Sequence, residues 1–302
     1  MSGEPRGGGA GRGGAGAGRP SVREYVRGAA AVLAEAGVPS PEVDARALAE
    51  HVLGVSSLVM APSVAPDGFA ARYAELVERR RLREPLQHLT GRAAFRYLDL
   101  EVRPGVFVPR PETEVVAQHA VDAARAAGRE PLVVDLCCGA GGIALAVATE
   151  VPDGRVVAVD AAPEAVALTR DNAERVGAPA VEVSLGDVRD AGLLAELTGL
   201  VDVVVSNPPY IPPDAVPIDP EVRDHDPDLA LYGGGGDGLA VPRDVVVAAW
   251  RLLRPGGWFV MEHAEVQAAA VRAIVVSAGF EDVATFPDLT GRDRGVRARR
   301  PA

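Results

Sequence analysis

Leu132-Val133-Val134-Asp135-Leu136-Cys137-Cys138-Gly139-Ala140-Gly141-Gly142 is the stretch that decides the architecture. Its first five residues are a short, nearly continuous apolar run, the mark of a strand buried on both faces. The glycines behind it let the backbone turn tightly and approach a ligand before a helix begins at Gly142. Strand, glycine turn and helix together open a parallel α/β sheet.

The same rhythm continues downstream. Strands are expected at Arg155–Asp160, Val181–Leu185, Val201–Ser206 and Trp258–Glu262, followed by two closing strands. Helices are expected at Pro163–Val176, near Leu193, at Leu239–Leu253 and at Glu265–Ala278. Pro208 to Gly238 reads as a Pro/Gly-rich loop. This alternation implies a doubly wound, mostly parallel sheet with helices on both faces.

Ligands in such sheets bind outside the carboxyl ends of the strands. Gly139 and Gly141 lie at the first strand end, Asp160 at the second and Asp187 just beyond the third. Asp160 can accept hydrogen bonds from both ribose hydroxyls, and Asp187 can grip an adenine amino group. Gly139, Gly141 and Ala144 also fit the dinucleotide pattern G-x-G-x-x-A, so a dehydrogenase and a purely structural turn are both open at this point.

The fourth strand runs into Asn207-Pro208-Pro209-Tyr210-Ile211. A hydride-transfer enzyme has no use for this motif, whereas a nitrogen methyltransferase does. An amide or aryl amine nitrogen is planar and a poor nucleophile. The Asn207 side-chain oxygen and the Pro208 carbonyl can each accept one N–H and aim the lone pair at a methyl donor. Consecutive prolines stiffen the backbone and remove competing donors. Tyr210 offers a face for the amide to stack on.

Upstream, Ser21 with Glu24 makes a capping box for a helix through Leu33, stopped by Gly37. Ser40-Pro41 opens a second helix to about Leu53. A third is expected from Asp67 to Arg83. The arginines at its end read as a solvated helix terminus, with a docking patch for an acidic partner as the alternative. Phe95 to Val108 alternates, and Arg103-Pro104-Gly105 is taken as its hairpin turn.

The net charge is -11, and no lysine occurs, so arginine supplies the positive side chains counted in that charge. That balance counts against nucleic acid as the main partner. No apolar run reaches the roughly 20 residues that cross a bilayer, and a cytoplasmic location is expected. Cys137 and Cys138 are the only cysteines; adjacent thiols make a poor metal site and a strained bridge. They read as small residues filling a turn, and no metal is expected.

Taken together, Leu89-Thr90-Gly91, Phe95, Val108-Pro109-Arg110-Pro111-Glu112-Thr113-Glu114, Asn207-Pro208-Pro209-Tyr210-Ile211, Gly236-Asp237-Gly238-Leu239, Glu262-His263, Gln267 and Asp288-Leu289-x-Gly291-x-x-Arg294 resemble one family. It is that of the protein N5-glutamine methyltransferases, which modify the Gly-Gly-Gln loop of peptide-chain release factors. The likeness covers about residues 21 to 300. It implies a seven-stranded, Rossmann-like class I methyltransferase fold with a small helical N-terminal domain, and S-adenosyl-L-methionine as cofactor.

The implied organisation is a disordered Gly/Arg-rich tail over 1–20, a helical substrate-recognition domain over 21–90, a hairpin linker over 91–112 and a catalytic domain over 113–302. Carried over, Asp135, Cys137, Cys138, Gly139, Ala140, Gly141, Asp160, Asp187, Val188 and Asn207 would border the cofactor. Asn207, Pro208, Pro209 and Tyr210 would hold the glutamine amide, with Arg110 and Glu112 at the substrate entrance. A surface ion pair capping the next helix is the plainer reading of Arg110–Glu114.

Two features depart from the family pattern. Cys137-Cys138 replaces Gly-Thr or Gly-Ser, an exchange free of backbone strain provided φ stays negative. The loop around Gly233-Gly234-Gly235-Gly236 is longer. A ribosomal protein as substrate, or an amino group of DNA or RNA, is the alternative target.

Overall fold

The computed structural model describes residues 20–302, and the Gly/Arg-rich tail lies outside the described residues. The chain divides into two compact units after Leu82. Arg83 and the short helix at Leu86–Thr90 therefore go with the second unit.

In the first unit, α1 (Val22–Glu35), α2 (Pro41–Leu53) and α3 (Phe69–Arg81) pack on one another. The capping box at the start of α1 is formed: the Ser21 N–H donates to Glu24 at 2.7 Å and the Glu24 N–H to Ser21 Oγ at 3.3 Å. Ser40 precedes α2 but makes no side-chain cap, so the first-turn proline sets that end. Leu33, Leu48, Phe69 and Tyr73 are buried, and the Tyr73 hydroxyl donates to the Ala45 carbonyl at 2.8 Å. The arginine run at the end of α3 is not a free patch. Arg80 is buried and its Nε lies 2.7 Å from Asp44, while Arg81 pairs with Glu78. A buried charge needs such a partner, which turned Arg80 inward against the helix-terminus reading.

The second unit begins with α4 (Leu86–Thr90), β1 (Arg92–Phe95) and β2 (Leu98–Glu101). The hairpin register pairs Phe95 with Leu98. Its turn is therefore Arg96-Tyr97, not Arg103-Pro104-Gly105 as the turn residues suggested. Arg96 takes φ 53°, and tertiary bonds hold it there. Its guanidinium donates to Glu150 at 2.6 and 2.8 Å and to Gln118 at 2.9 Å, and its N–H to Glu114 at 3.0 Å. Long-range bonds outweighed local turn propensity.

Next come α5 (Thr113–Ala127), β3 (Leu132–Leu136), α6 (Gly142–Glu150), β4 (Arg155–Asp160), α7 (Pro163–Arg175), β5 (Glu182–Leu185) and β6 (Val201–Ser206). After them follow α8 (Pro220–His225), α9 (Asp228–Leu231), α10 (Ala240–Leu252), β7 (Leu253–Glu262), α11 (Ala268–Ser277), β8 (Glu281–Pro287) and β9 (Asp293–Arg299). The Pro/Gly-rich loop thus carries two short helices. Strand order is β5-β4-β3-β6-β7-β9-β8, with β9 antiparallel to both neighbours and the rest parallel.

Side chains of β3 alternate between two cores. Val133 packs with Val116, Ile143 and Val147, whereas Val134 and Leu136 pack with Val245, Leu252 and Val271. Helices therefore seal both faces. Strand order reverses between β3 and β6, and the chain leaves their carboxyl ends in opposite directions, opening a crevice there.

Candidate active site

A cavity of about 660 Å³ fills that crevice. Every residue expected at the cofactor and substrate sites lines it except Asp135 and Gly141. Asp135 is fully buried beneath the loop, where its Oδ2 accepts the Ala144 N–H at 3.0 Å. Burial pushes its carboxyl up to about 8. Gly141 sits behind the wall as the N-cap of α6, with Thr169 and Leu145 close by. Both shape the loop from behind instead of facing the cavity.

Asp160 ends β4 and uses both oxygens to hold neighbouring backbone. Oδ2 accepts the Gly139 N–H at 2.8 Å and Oδ1 the Ala162 N–H at 2.9 Å. Each oxygen keeps a lone pair, which suits two ribose hydroxyls. Burial raises its carboxyl despite those bonds. At Gly139 a Cβ would meet nothing within 4 Å, which leaves the loop open to a ligand. Asp187 is bonded to the Arg189 side chain and N–H, which hold its carboxyl below the usual range. Ala161, Ala162 and Val188 supply apolar wall around these acids. The two carboxylates, with the open glycine loop between them, fit a ribose and an adenine amino group.

Cys137 lines this wall at φ 64°, in the left-handed region. The condition for a strain-free exchange is therefore not met; an L-residue there costs roughly 1–2 kcal/mol. Both thiols are free, and burial pushes them well above the ordinary thiol range.

The acceptor side is built from residues far apart in sequence. Asn207 follows β6, and its Nδ2 donates to Thr113 Oγ1 at 3.2 Å. The Tyr210 hydroxyl donates to Glu262 Oε1 at 3.2 Å. Glu262 ends β7 and is buried; desolvation pushes it up to about 7, opposed by Thr113, Arg294 and Tyr210. Arg294 from β9 also lines the cavity and pairs with Asp288 at 3.0 Å.

Behind the motif, the Gln267 side chain donates to the Tyr210 carbonyl at 2.8 Å and the Asp237 carbonyl at 3.1 Å. A Cβ on Gly238 would stand 2.4 Å from the Tyr210 carbonyl oxygen, and Gly238 has φ 74°. Only glycine lets the loop back so closely onto the motif.

At the entrance, Arg110 pairs with the buried Asp226 at 2.5 Å, and its guanidinium lies 5.2 Å from the Phe107 ring centroid. Arg83 holds the same loop through Glu221 at 2.5 Å. Arg110 is thus an ion pair across the loop, not a cap for α5. Glu112 lines the cavity, 4.0 Å from Arg292.

Sequence reasoning gave no role to Thr113, Glu262, Arg294, Phe107 or Asp226. The available signal was a lone carboxylate ending the apolar β7, one residue beyond the Met261 that pairs with Ser206 of β6. Among the described residues, no cluster of His, Cys, Asp or Glu is set to hold a metal. Among the same described residues, no helix is long and apolar enough to cross a membrane.

Two family models match the chain: the PrmC N-terminal domain over residues 24–91 and the Methyltransferase small domain over 102–217. A release factor glutamine methyltransferase of Streptomyces coelicolor is 51% identical over 272 residues, covering 89% of this chain and 94% of the relative. One of Mycolicibacterium smegmatis is 48% identical, covering 93% and 98%. One of Deinococcus radiodurans is 43% identical, covering 92% and 98%. With a strand-end cavity shaped for a nucleoside, an Asn-Pro-Pro-Tyr motif inside it and likeness along nearly its whole length, the chain belongs to the release factor glutamine methyltransferase family.

Proposed function

We propose that the chain transfers the methyl group of S-adenosylmethionine to the side-chain amide nitrogen of a glutamine in a peptide-chain release factor. The first unit would recognise the protein substrate and the second would carry out the transfer, in the cytoplasm where such factors act. The carrying observation is that Thr113 occupies the nitrogen end of Asn207. The oxygen end is left to accept a hydrogen bond, in the cavity that Pro208 and Asp160 also line.

Gly139, Asp160 and Asp187 would hold the cofactor's amino-acid, ribose and adenine parts. When bound, S-adenosylmethionine supplies an electrophilic methyl carbon on a sulfonium. Asn207 and Pro208 take the two amide hydrogens and turn the nitrogen lone pair towards that carbon, while Tyr210 supports the flat amide. One of those hydrogens leaves as a proton once the nitrogen carries the methyl. Because the donor arrives activated, orientation is the main contribution the residues can make, up to about 7–11 kcal/mol in well-aligned reactions.

The test is incubation with labelled S-adenosylmethionine and separate pools of release factor, ribosomal protein, DNA and RNA. Label is expected in release factor, on a glutamine. Label confined to ribosomal protein or nucleic acid would overturn the proposal.

A further inference from the structure

The motif that would hold the glutamine is a loop, and a loop aims its carbonyls only when both of its ends are fixed. At one end Asn207 leaves β6, whose last residue, Ser206, pairs with Met261 of β7 and donates its hydroxyl to the Leu136 carbonyl at 2.7 Å. Between the ends, the rings of Pro208 and Pro209 lock φ. The far end is held by residues that the proposed chemistry leaves without a role.

Gln267 closes the turn over 264–267 and is 7% exposed. Its neighbours decide which way its amide points. Oε1 accepts the Ala264 N–H at 3.3 Å, while Nε2 meets two groups that can only accept, the Tyr210 carbonyl at 2.8 Å and the Asp237 carbonyl at 3.1 Å. Burial keeps water from serving those carbonyls instead, so the amide is what joins the two loops. The loop over 233–238 then follows the motif closely. The Ile211 N–H donates to the Leu231 carbonyl at 2.9 Å, and the Gly233 N–H to the Ile211 carbonyl at 3.0 Å. A Cβ on Gly233 would stand 2.6 Å from the Pro209 carbonyl oxygen. The carbonyls of Pro209, Tyr210 and Ile211 are thus packed or bonded against this loop. Among the described residues, nothing donates to the Pro208 carbonyl.

We infer that Gln267 is a positioning residue: it ties Tyr210 to the glycine loop and so fixes the peptide planes that present the Pro208 carbonyl to the substrate. Gln267 does not line the cavity, so its effect runs through the motif. Gly233 and Gly238 belong to the same device, because a side chain at either would push the two loops apart. This inference rests on the glutamine reading above.

Gln267→Met keeps the bulk and removes the donor. With release factor and S-adenosylmethionine, kcat should fall about ten- to a hundredfold, the cost of a reacting group held slightly out of place. Calorimetric cofactor affinity should stay within about twofold, which also reports that the variant is folded. Gln267→Glu offers a donor only while protonated. Its kcat, taken as a ratio to wild type, should recover several-fold as pH falls from about 8 to about 6. The ratio cancels the titration of Tyr210, Asp237, His263 and Glu265, the ionisable groups of its own turn and of the two loops it joins. Wild-type turnover in Gln267→Met, a Gln267→Glu ratio that stays low at every pH, or a loss of cofactor affinity as large as the loss in kcat would overturn the inference. Release factor methylated equally well by wild type and Gln267→Met sinks the staple alone; release factor left unmethylated by wild type sinks the glutamine reading itself.

Discussion

The two halves of the cavity are made in different ways. On the cofactor side, Cys137 to Gly142 and Asp160 act mainly through backbone: one carboxylate ties two loop N–H groups, and the wall between is small and apolar. On the acceptor side, Thr113, Asn207, Tyr210, Glu262 and Arg294 meet from four separate segments through side chains. A loop that cradles a ligand can be specified locally. A group that must present one chosen atom to a planar nitrogen needs polar neighbours brought from a distance.

If that division holds, damage on each side should show in a different constant. Asn207→Ala should lower kcat by roughly a hundredfold or more, as loss of one preorganised hydrogen-bonding group does elsewhere. Cofactor affinity, measured by calorimetry, should stay nearly unchanged. Asp160→Asn should do the reverse. Cofactor affinity should weaken by about ten- to a hundredfold, the loss expected for hydrogen bonds to a charged group, while kcat at saturating cofactor shifts little. Equal effects on both constants in either variant would erase the distinction.

The pH dependence sharpens it further. Burial raises Glu262 to about 7, with Thr113, Tyr210 and Arg294 drawing it down and Glu112 pushing it up. Below that pH it carries a proton, and its bond from the Tyr210 hydroxyl, which fixes the ring in the motif, loses its charge assistance and weakens. The turnover rate should therefore rise with pH through about 7, and Glu262→Gln should be slower and lack the rise. Stability runs the other way. A folded carboxyl raised above its unfolded value holds a proton that the unfolded chain has lost, so Glu262 favours folding less as pH climbs from about 4.5 to about 7. A pH-independent rate in the wild type would contradict this account.

The smallest expected effect lies on the cofactor side. Cys137→Gly should relieve the left-handed strain, roughly 1–2 kcal/mol, less the greater chain entropy that glycine brings, roughly 0.5–1 kcal/mol. A net gain of about 1 kcal/mol would raise Tm by about 2–4 °C. A lowered Tm would show that the thiol's packing outweighs the strain.

This contrast also marks what was legible in the amino-acid sequence. The β3 and β4 strands, the glycine loop and Asp160 sit within short windows whose apolar runs and turn residues point one way, and Asn207-Pro208-Pro209-Tyr210 announces its chemistry in four residues. The hairpin turn was misread because Arg103-Pro104-Gly105 has the right local chemistry, while Arg96 is held by Glu114, Gln118 and Glu150 from two helices. Thr113 and Glu262 stood inside recognisable stretches without a role, since side-chain contacts reaching the motif from α5 and β7 have no spacing in sequence. Arg80 was hidden for the same reason: its partner Asp44 lies on another helix.

The most direct test is a structure of the enzyme with S-adenosylhomocysteine and a Gly-Gly-Gln peptide. The account predicts the glutamine amide nitrogen about 3 Å from both Asn207 Oδ1 and the Pro208 carbonyl oxygen, with Asn207 Nδ2 still on Thr113. A glutamine held with its oxygen towards Asn207, or bound outside the cavity, would contradict it.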